Sequence, residues 1–322
     1  MRIDFKEFDS KRKFGVELEV SSTKTREEIR DIILSHDIFH DTHATTGTGS
    51  YGWSDTRDND YWHVKYDSTC GPLGKKKDHG WEIASYIASG IDDIENISSL
   101  ARYFKREGLE VNDNCGLHIH VEVRDFSTRD MGALLARWIK VEPWLFSACA
   151  SRRQRSIYCR PMTQRQHDKI AFYHSEYPEQ FWYDMMPTNT STHNNNEKKY
   201  SLNTVGYAVS MMHPLYDRTT VELRLPECLL DKDHVKNWVI LFVNFVETCA
   251  NSVFAPQNTD RCQNILDVLD VLGLGKTPNG TFQILDHELF GAKVWFLKKL
   301  ITHAEGSIKE QAQDHLEFIS RL

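Results

Sequence analysis

Residues 14–20 read Phe-Gly-Val-Glu-Leu-Glu-Val. A strand turns successive side chains to opposite faces, so Val16, Leu18 and Val20 share one face while Glu17 and Glu19 share the other. Strict alternation over this length predicts a half-buried strand. The same pattern recurs in Leu117–Val123, where Leu117, Ile119 and Val121 oppose His118, His120 and Glu122. It recurs again in Thr220–Leu225, with Val221, Leu223 and Leu225 against Glu222 and Arg224. Glu82 stands between Trp81 and Ile83 in Gly80–Tyr86, and His63, Lys65 and Asp67 alternate with Val64 and Tyr66 in Trp62–Asp67. A further strand is expected at Lys199–Asn203.

Helical signals fill the intervals. Thr25-x-x-Glu28 and Ser127-x-x-Asp130 read as capping boxes opening helices over Thr25–His36 and Ser127–Ala150, the second with a kink near Pro143. Asp92–Arg106 reads as a helix with Gly108 just past its end. His40–Tyr61 is polar and reads as a loop, and residues 160–198 read as a polar insertion. From Asp231 onward the chain reads mostly helical. Alternating strands separated by helices indicate an α+β fold with an antiparallel sheet. The expected organisation is a core over residues 1–230, with residues 231–322 packed on it as a helical part of the same domain.

The 322 residues carry 39 basic and 46 acidic side chains, a net charge of −7, which argues mildly against a nucleic-acid substrate. The most apolar run, Trp238–Val246, is about half the length a bilayer requires, so no membrane partner is expected. That run reads as core, with a homo-oligomer contact as the other reading. No apolar signal segment opens the sequence, and the seven cysteines form no CxxC pair. A disulfide framework or thiolate zinc site is therefore not expected, and a reducing cytoplasm is the simplest location.

The polar strand faces carry the chemistry. A solvated sheet face is normally stocked with Ser, Thr, Lys and mixed charges, whereas these strands collect Glu17, Glu19, Glu82, Glu122 and Glu222 with His118 and His120. Neighbouring carboxylates raise one another's pKa unless cations intervene. Oxygen ligands with an imidazole suit Mg²⁺, or Mn²⁺, better than structural zinc. Arg224 and Lys65 beside them describe a phosphoryl-transfer site.

Taken in order, FGVELEV, WHVKYDST, GWEIAS, NCGLHIHV, KYSLN and TVELRLPE resemble the signature blocks of the amidoligase family, which is related to glutamine synthetase and glutamate–cysteine ligase. The blocks span roughly residues 14–227. The resemblance implies a glutamine-synthetase-like funnel of antiparallel strands with helices on its outer face, holding two or three Mg²⁺ ions and ATP. It implies metal-binding roles for Glu17, Glu19, Glu82, His118 and Glu222, with Arg224 and His118 facing the transferred phosphate. Lys65, Asp67, His120, Tyr200 and Asn203 belong to the same blocks and are read as ATP- or substrate-binding, with Asn114 (or Asn112) and Gly116 near the substrate carboxylate. Ser151–Cys159 resembles a further block, offering Arg152, Arg153 and Tyr158 to an anionic group. The implied reaction is ATP-dependent ligation of a carboxylate to an amine through an acyl phosphate, with Glu122 as the candidate proton acceptor. The substrates implied are an amino acid, a peptide or a modified macromolecule. Two rival readings are a metal-dependent hydrolase on the same side chains and a non-catalytic binding module that keeps the fold.

Overall fold

The computed structural model describes residues 3–8, 11–44, 60–71, 79–162, 199–207, 219–250, 260–276 and 282–321. The fold mixes α and β structure, and its main-sheet strands are mostly antiparallel. The chain divides into two compact units. One comprises Lys11–His120 and Pro226–Val239 and is rich in sheet; the other comprises Met1–Ser10, Val121–Leu225 and Ile240–Leu322 and is rich in helix.

In the sheet-rich unit the strands run in the order β3 (Thr42–Ala44), β4 (Trp62–Tyr66), β5 (His79–Ala84), β2 (Phe14–Ser22) and β6 (Leu117–Glu122). The last two residues of β6 belong to the other unit. β2 and β4 each pair antiparallel with β5, while β3 joins β4 in parallel within a segment expected to be loop throughout. Val16, Leu18 and Val20 are buried, as the alternation requires.

Helix α1 (Arg26–His36) opens with the expected capping box: the Glu28 N–H donates to Thr25 Oγ1 at 3.2 Å, and the Thr25 N–H donates to Glu28 Oε2 at 2.7 Å. Ile29 and Ile33, one turn apart, form its buried stripe. Asp37, buried just past the helix, accepts from Trp62 Nε1 at 2.8 Å and Asn96 Nδ2 at 2.9 Å, tying α1 to β4 and to α2 (Gly90–Arg106). His40 also bonds Asp37 and stacks on Tyr86 at 3.5 Å, which gives it a packing role. α2 begins two residues before Asp92, and the Asp93 carboxylate accepts from the Ser89 N–H at 2.7 Å. Gly108, at φ +81°, ends it in the left-handed region that glycine tolerates best. Gly80 lies so close to the turn after β4 that an added Cβ would fall 2.0 Å from the Asp67 carbonyl oxygen and 2.5 Å from the Gly71 nitrogen.

In the helix-rich unit α3 (Thr128–Ser147) starts with the Ser127–Asp130 capping box and runs through Pro143. Trp138 packs edge-on against Phe242 and Phe245 at centroid distances of 6.2 and 5.8 Å. Glu142 is fully committed: Ser201 Oγ donates to it at 2.5 Å, the Met162 N–H at 3.0 Å and Trp138 Nε1 at 3.2 Å. The run Trp238–Val246 lies within α4 (Lys232–Ala250), whose residues up to Val239 belong to the sheet-rich unit, and is buried, as core should be. α5 (Ile265–Val271), α6 (His287–His303) and α7 (Gly306–Ser320) follow.

The region after Asp231 is mostly helical among the described residues, as expected, with one short strand, β9 (Phe282–Leu285), paired in parallel with β1 (Ile3–Lys6). One departure marks this unit. The strand expected at Lys199–Asn203 shrinks to β7 (Leu202–Asn203), antiparallel to β8 (Thr220–Leu223), because Lys199 and Ser201 bond instead to the backbone of Arg160. Most of the polar insertion and the glycine-rich Gly47–Gly52 lie outside the described residues. No described helix is long and apolar enough to cross a membrane.

A candidate active site of carboxylates and imidazoles

β2 presents Glu17 and Glu19 on the face opposite its buried apolar stripe. The register with β5 sets Glu19 directly across from Glu82, and Glu82 faces Lys65 of β4 on its other side. Like charges placed opposite one another destabilise a sheet pair. Lys65 Nζ offsets part of this by donating to Glu82 Oε1 at 3.1 Å.

β6 supplies the imidazoles. His118 is buried between the two β2 carboxylates, its Nδ1 3.3 Å from Glu17 Oε2 and its Nε2 3.5 Å from Glu19 Oε1. His120 Nε2 lies 3.2 Å from Glu17 Oε1. The Gly116 N–H donates to Glu19 Oε2 at 2.5 Å, so the loop before β6 orients that carboxylate. In the same loop the Asn114 N–H donates to Asn112 Oδ1 at 2.9 Å.

The electrostatics of two of these acids diverge. Burial pushes the Glu17 carboxyl upward, but the charge of His120, hydrogen bonds from both histidines and the charge of Lys65 hold it well below the usual range. Glu82 is pushed up to about 7, by burial first and by the charge of Glu17 second, with Lys65 pulling against them. A carboxylate poised near neutrality among other carboxylates is the arrangement a divalent cation relieves. The carboxylate oxygens of Glu17, Glu19 and Glu82 are of the donor type a hard divalent ion prefers.

Within the helix-rich unit a second cluster forms. Glu222 accepts from Asn203 Nδ2 at 2.6 Å and from Arg224 Nη1. Arg224 Nε reaches the Tyr158 carbonyl at 3.4 Å, and its N–H donates to the Ser201 carbonyl at 2.9 Å. Arg153 is buried and braces this strand end, donating to the carbonyls of Arg224 at 2.7 Å and Leu225 at 3.1 Å. Arg152 is exposed beside it. Tyr200 sits under the Arg160 guanidinium at 5.1 Å, and Glu122 pairs with Arg124 at 3.6 Å. The structure thus brings Glu17, Glu19, Glu82, His118, His120, Lys65 and Gly116 together in one unit, and Asn203, Glu222 and Arg224 in the other.

Sequence reading overlooked one neighbour of this set. Glu19, Asp67 and Cys70 offer donor atoms within 4.8 Å of one another. Asp67 and Cys70 lie three residues apart in the turn after β4, and the strand order brings that turn to Glu19.

Opposed carboxylates, an imidazole between two of them and a lysine at their edge define a sheet scaffold competent for divalent-cation chemistry. The sequence matches the family described as "Putative amidoligase enzyme" over residues 10–246, most of the chain, and the protein belongs to that family. Amide-bond formation is the chemistry of that class, which makes the chain a ligase by class. Among curated proteins, none matches it.

Proposed function

We propose that this protein is an ATP- and Mg²⁺-dependent ligase that joins a substrate carboxylate to an amine through an acyl phosphate, within a glutamine-synthetase-like strand funnel. The observation that carries the reading is the register pair Glu19–Glu82, flanked by Glu17 and His118. A folded sheet gains nothing from opposing two acids, and an enzyme that must hold a cation does.

Each side chain then has a task. Glu17, Glu19 and Glu82 would hold Mg²⁺, or Mn²⁺ in its place, and Glu222 is assigned a metal-binding role within its own unit. When bound, the metal would supply positive charge against the charge that develops on a transferred phosphoryl group. The Gly116 N–H fixes Glu19, and His118 spans Glu17 and Glu19. Lys65 keeps Glu82 oriented and partly compensated. Arg224, held by Glu222 and by the Arg153 brace behind it, would stabilise charge on the transferred phosphoryl group. Asp67, Asn114, His120, Arg152, Tyr200 and Asn203 serve ATP or substrate. The amine must be neutral to attack, and Glu122 is assigned the proton.

The test is phosphate release with ATP, Mg²⁺ and pooled carboxylates and amines, with Glu19→Gln as the blank. The expected result is release that needs both substrate classes and vanishes in Glu19→Gln. Turnover without nucleotide would make the protein a hydrolase and end this reading.

A further inference from the structure

Beside the carboxylate face stands a group of different chemistry. Cys70 and Cys115 are far apart in sequence, yet both are buried beside the same asparagine. Asn112 couples them: its N–H donates to Cys115 Sγ at 3.3 Å, and its side-chain amide donates to the Cys70 carbonyl at 2.7 Å. Glu19 and Asp67 complete the set, their donor atoms lying within 4.8 Å of Cys70 Sγ and of each other.

We propose that Cys70, Cys115, Asp67 and Glu19 form a binding site for a thiophilic divalent cation of the Zn²⁺ class. Two thiolates and two carboxylates give the S₂O₂ donor count of a tetrahedral site, with the same net charge as four thiolates around zinc. Donors bound at zinc distances stand roughly 3.5 Å apart, so the Glu19, Asp67 and Cys70 donors, within 4.8 Å of one another, close with about an ångström of side-chain rotation.

The outer contacts that steady such ligands are in place. Asp67 Oδ1 accepts from the Thr69 N–H and from Thr69 Oγ1, both at 2.7 Å, which leaves its second oxygen for an ion. Glu19 Oε2 accepts from the Gly116 N–H, and Cys115 Sγ accepts the Asn112 N–H. Metal-bound carboxylates and thiolates carry hydrogen bonds of this kind. The close approach of Gly80 holds the Asp67–Gly71 turn against the strand. A thiol pair that merely filled core would be ringed by apolar atoms, whereas this one faces two acids. Mg²⁺ prefers oxygen, and soft sulfur selects zinc-like ions, so the site discriminates between the two.

The assignment is independent of the ligase reading, although on that reading zinc would draw Glu19 away from catalysis. The test is titration of the reduced, chelator-treated full chain with Co²⁺, without nucleotide. One equivalent should produce a sulfur-to-cobalt charge-transfer band with tetrahedral ligand-field bands, and Zn²⁺ should bleach both. Cys70→Ser and Cys115→Ser should each cut the charge-transfer band of bound Co²⁺ to about half, and the double substitution should remove it. Asp67→Asn, which leaves both thiols intact, should weaken Co²⁺ binding by about 10–100-fold. Binding without a charge-transfer band, a band undiminished in folded Cys70→Ser, or unchanged affinity in Asp67→Asn would overturn the proposal.

Discussion

Two buried acids in this molecule meet opposite surroundings. Glu142, in the helix-rich unit, is met by donors alone: the Ser201 hydroxyl, the Met162 N–H and the Trp138 indole. Glu82, in the sheet-rich unit, is set by register against a second acid, Glu19, with one lysine to balance the pair. Burial raises both carboxyls above their ordinary range. Around Glu142 the three donors and the charge of Arg261 act against that rise, whereas the charge of Glu17 adds to it at Glu82. The lesson is that burial alone does not distinguish a structural acid from a working one. The sign of the neighbours does.

The sharpest way to break the comparison is Glu19→Gln. On the functional reading it lowers turnover by about 100-fold or more, measured as phosphate release, and leaves the melting temperature nearly unchanged. Glu142→Ala should do the reverse in kind. It strands the Ser201 hydroxyl and the Met162 N–H, while Trp138 Nε1 keeps Ser201 Oγ at 3.1 Å, and should cost about 2–4 kcal/mol, read by urea denaturation.

Glu82→Gln should act in the opposite sense to Glu142→Ala. Without metal at pH 8 it removes a crowded charge and should stabilise the fold by about 1–2 kcal/mol, allowing for solvent screening. The same substitution should abolish any stabilisation by Mn²⁺. The pH dependence follows from the same group. Its folded pKa, near 7, lies above the ordinary value of 4.5. Its contribution to stability is therefore complete below about pH 4.5 and is lost as pH rises through about 7. Glu17, held low, runs the other way: its contribution is present above the ordinary carboxylate pKa and is lost as pH falls through its folded value. In chelator, Glu82→Gln should flatten the decline between pH 4.5 and 8, as thermal melts across that window would show. The smallest effect expected is Ser201→Ala, about 1 kcal/mol, since Glu142 keeps its remaining donors.

Much of this was legible beforehand. Alternation in residues 14–20 and 117–123 located β2 and β6 and the face of each glutamate and histidine, because period-two patterning is a direct image of the pleat. The capping boxes at Thr25 and Ser127 were equally direct. The parallel pair β1–β9 was not, because four-residue strands at distant points of the chain carry too few alternations to stand out. The meeting of Cys70 with Cys115 was hidden for a related reason: no local spacing encodes a contact that strand order creates. Glu142 was invisible as a hub because a lone glutamate in a helix reads as solvated until its donors are known.

Gly80 has a further consequence. The atoms an added methyl group would strike are backbone atoms, the Asp67 oxygen, the Gly71 nitrogen and the Cys70 carbonyl carbon, none of which can swing aside as a side-chain tip does. Position 80 should therefore behave as a vacancy the chain must keep. In a saturation library every substituent there, alanine included, should be depleted, even though the residue itself takes no part in binding or chemistry.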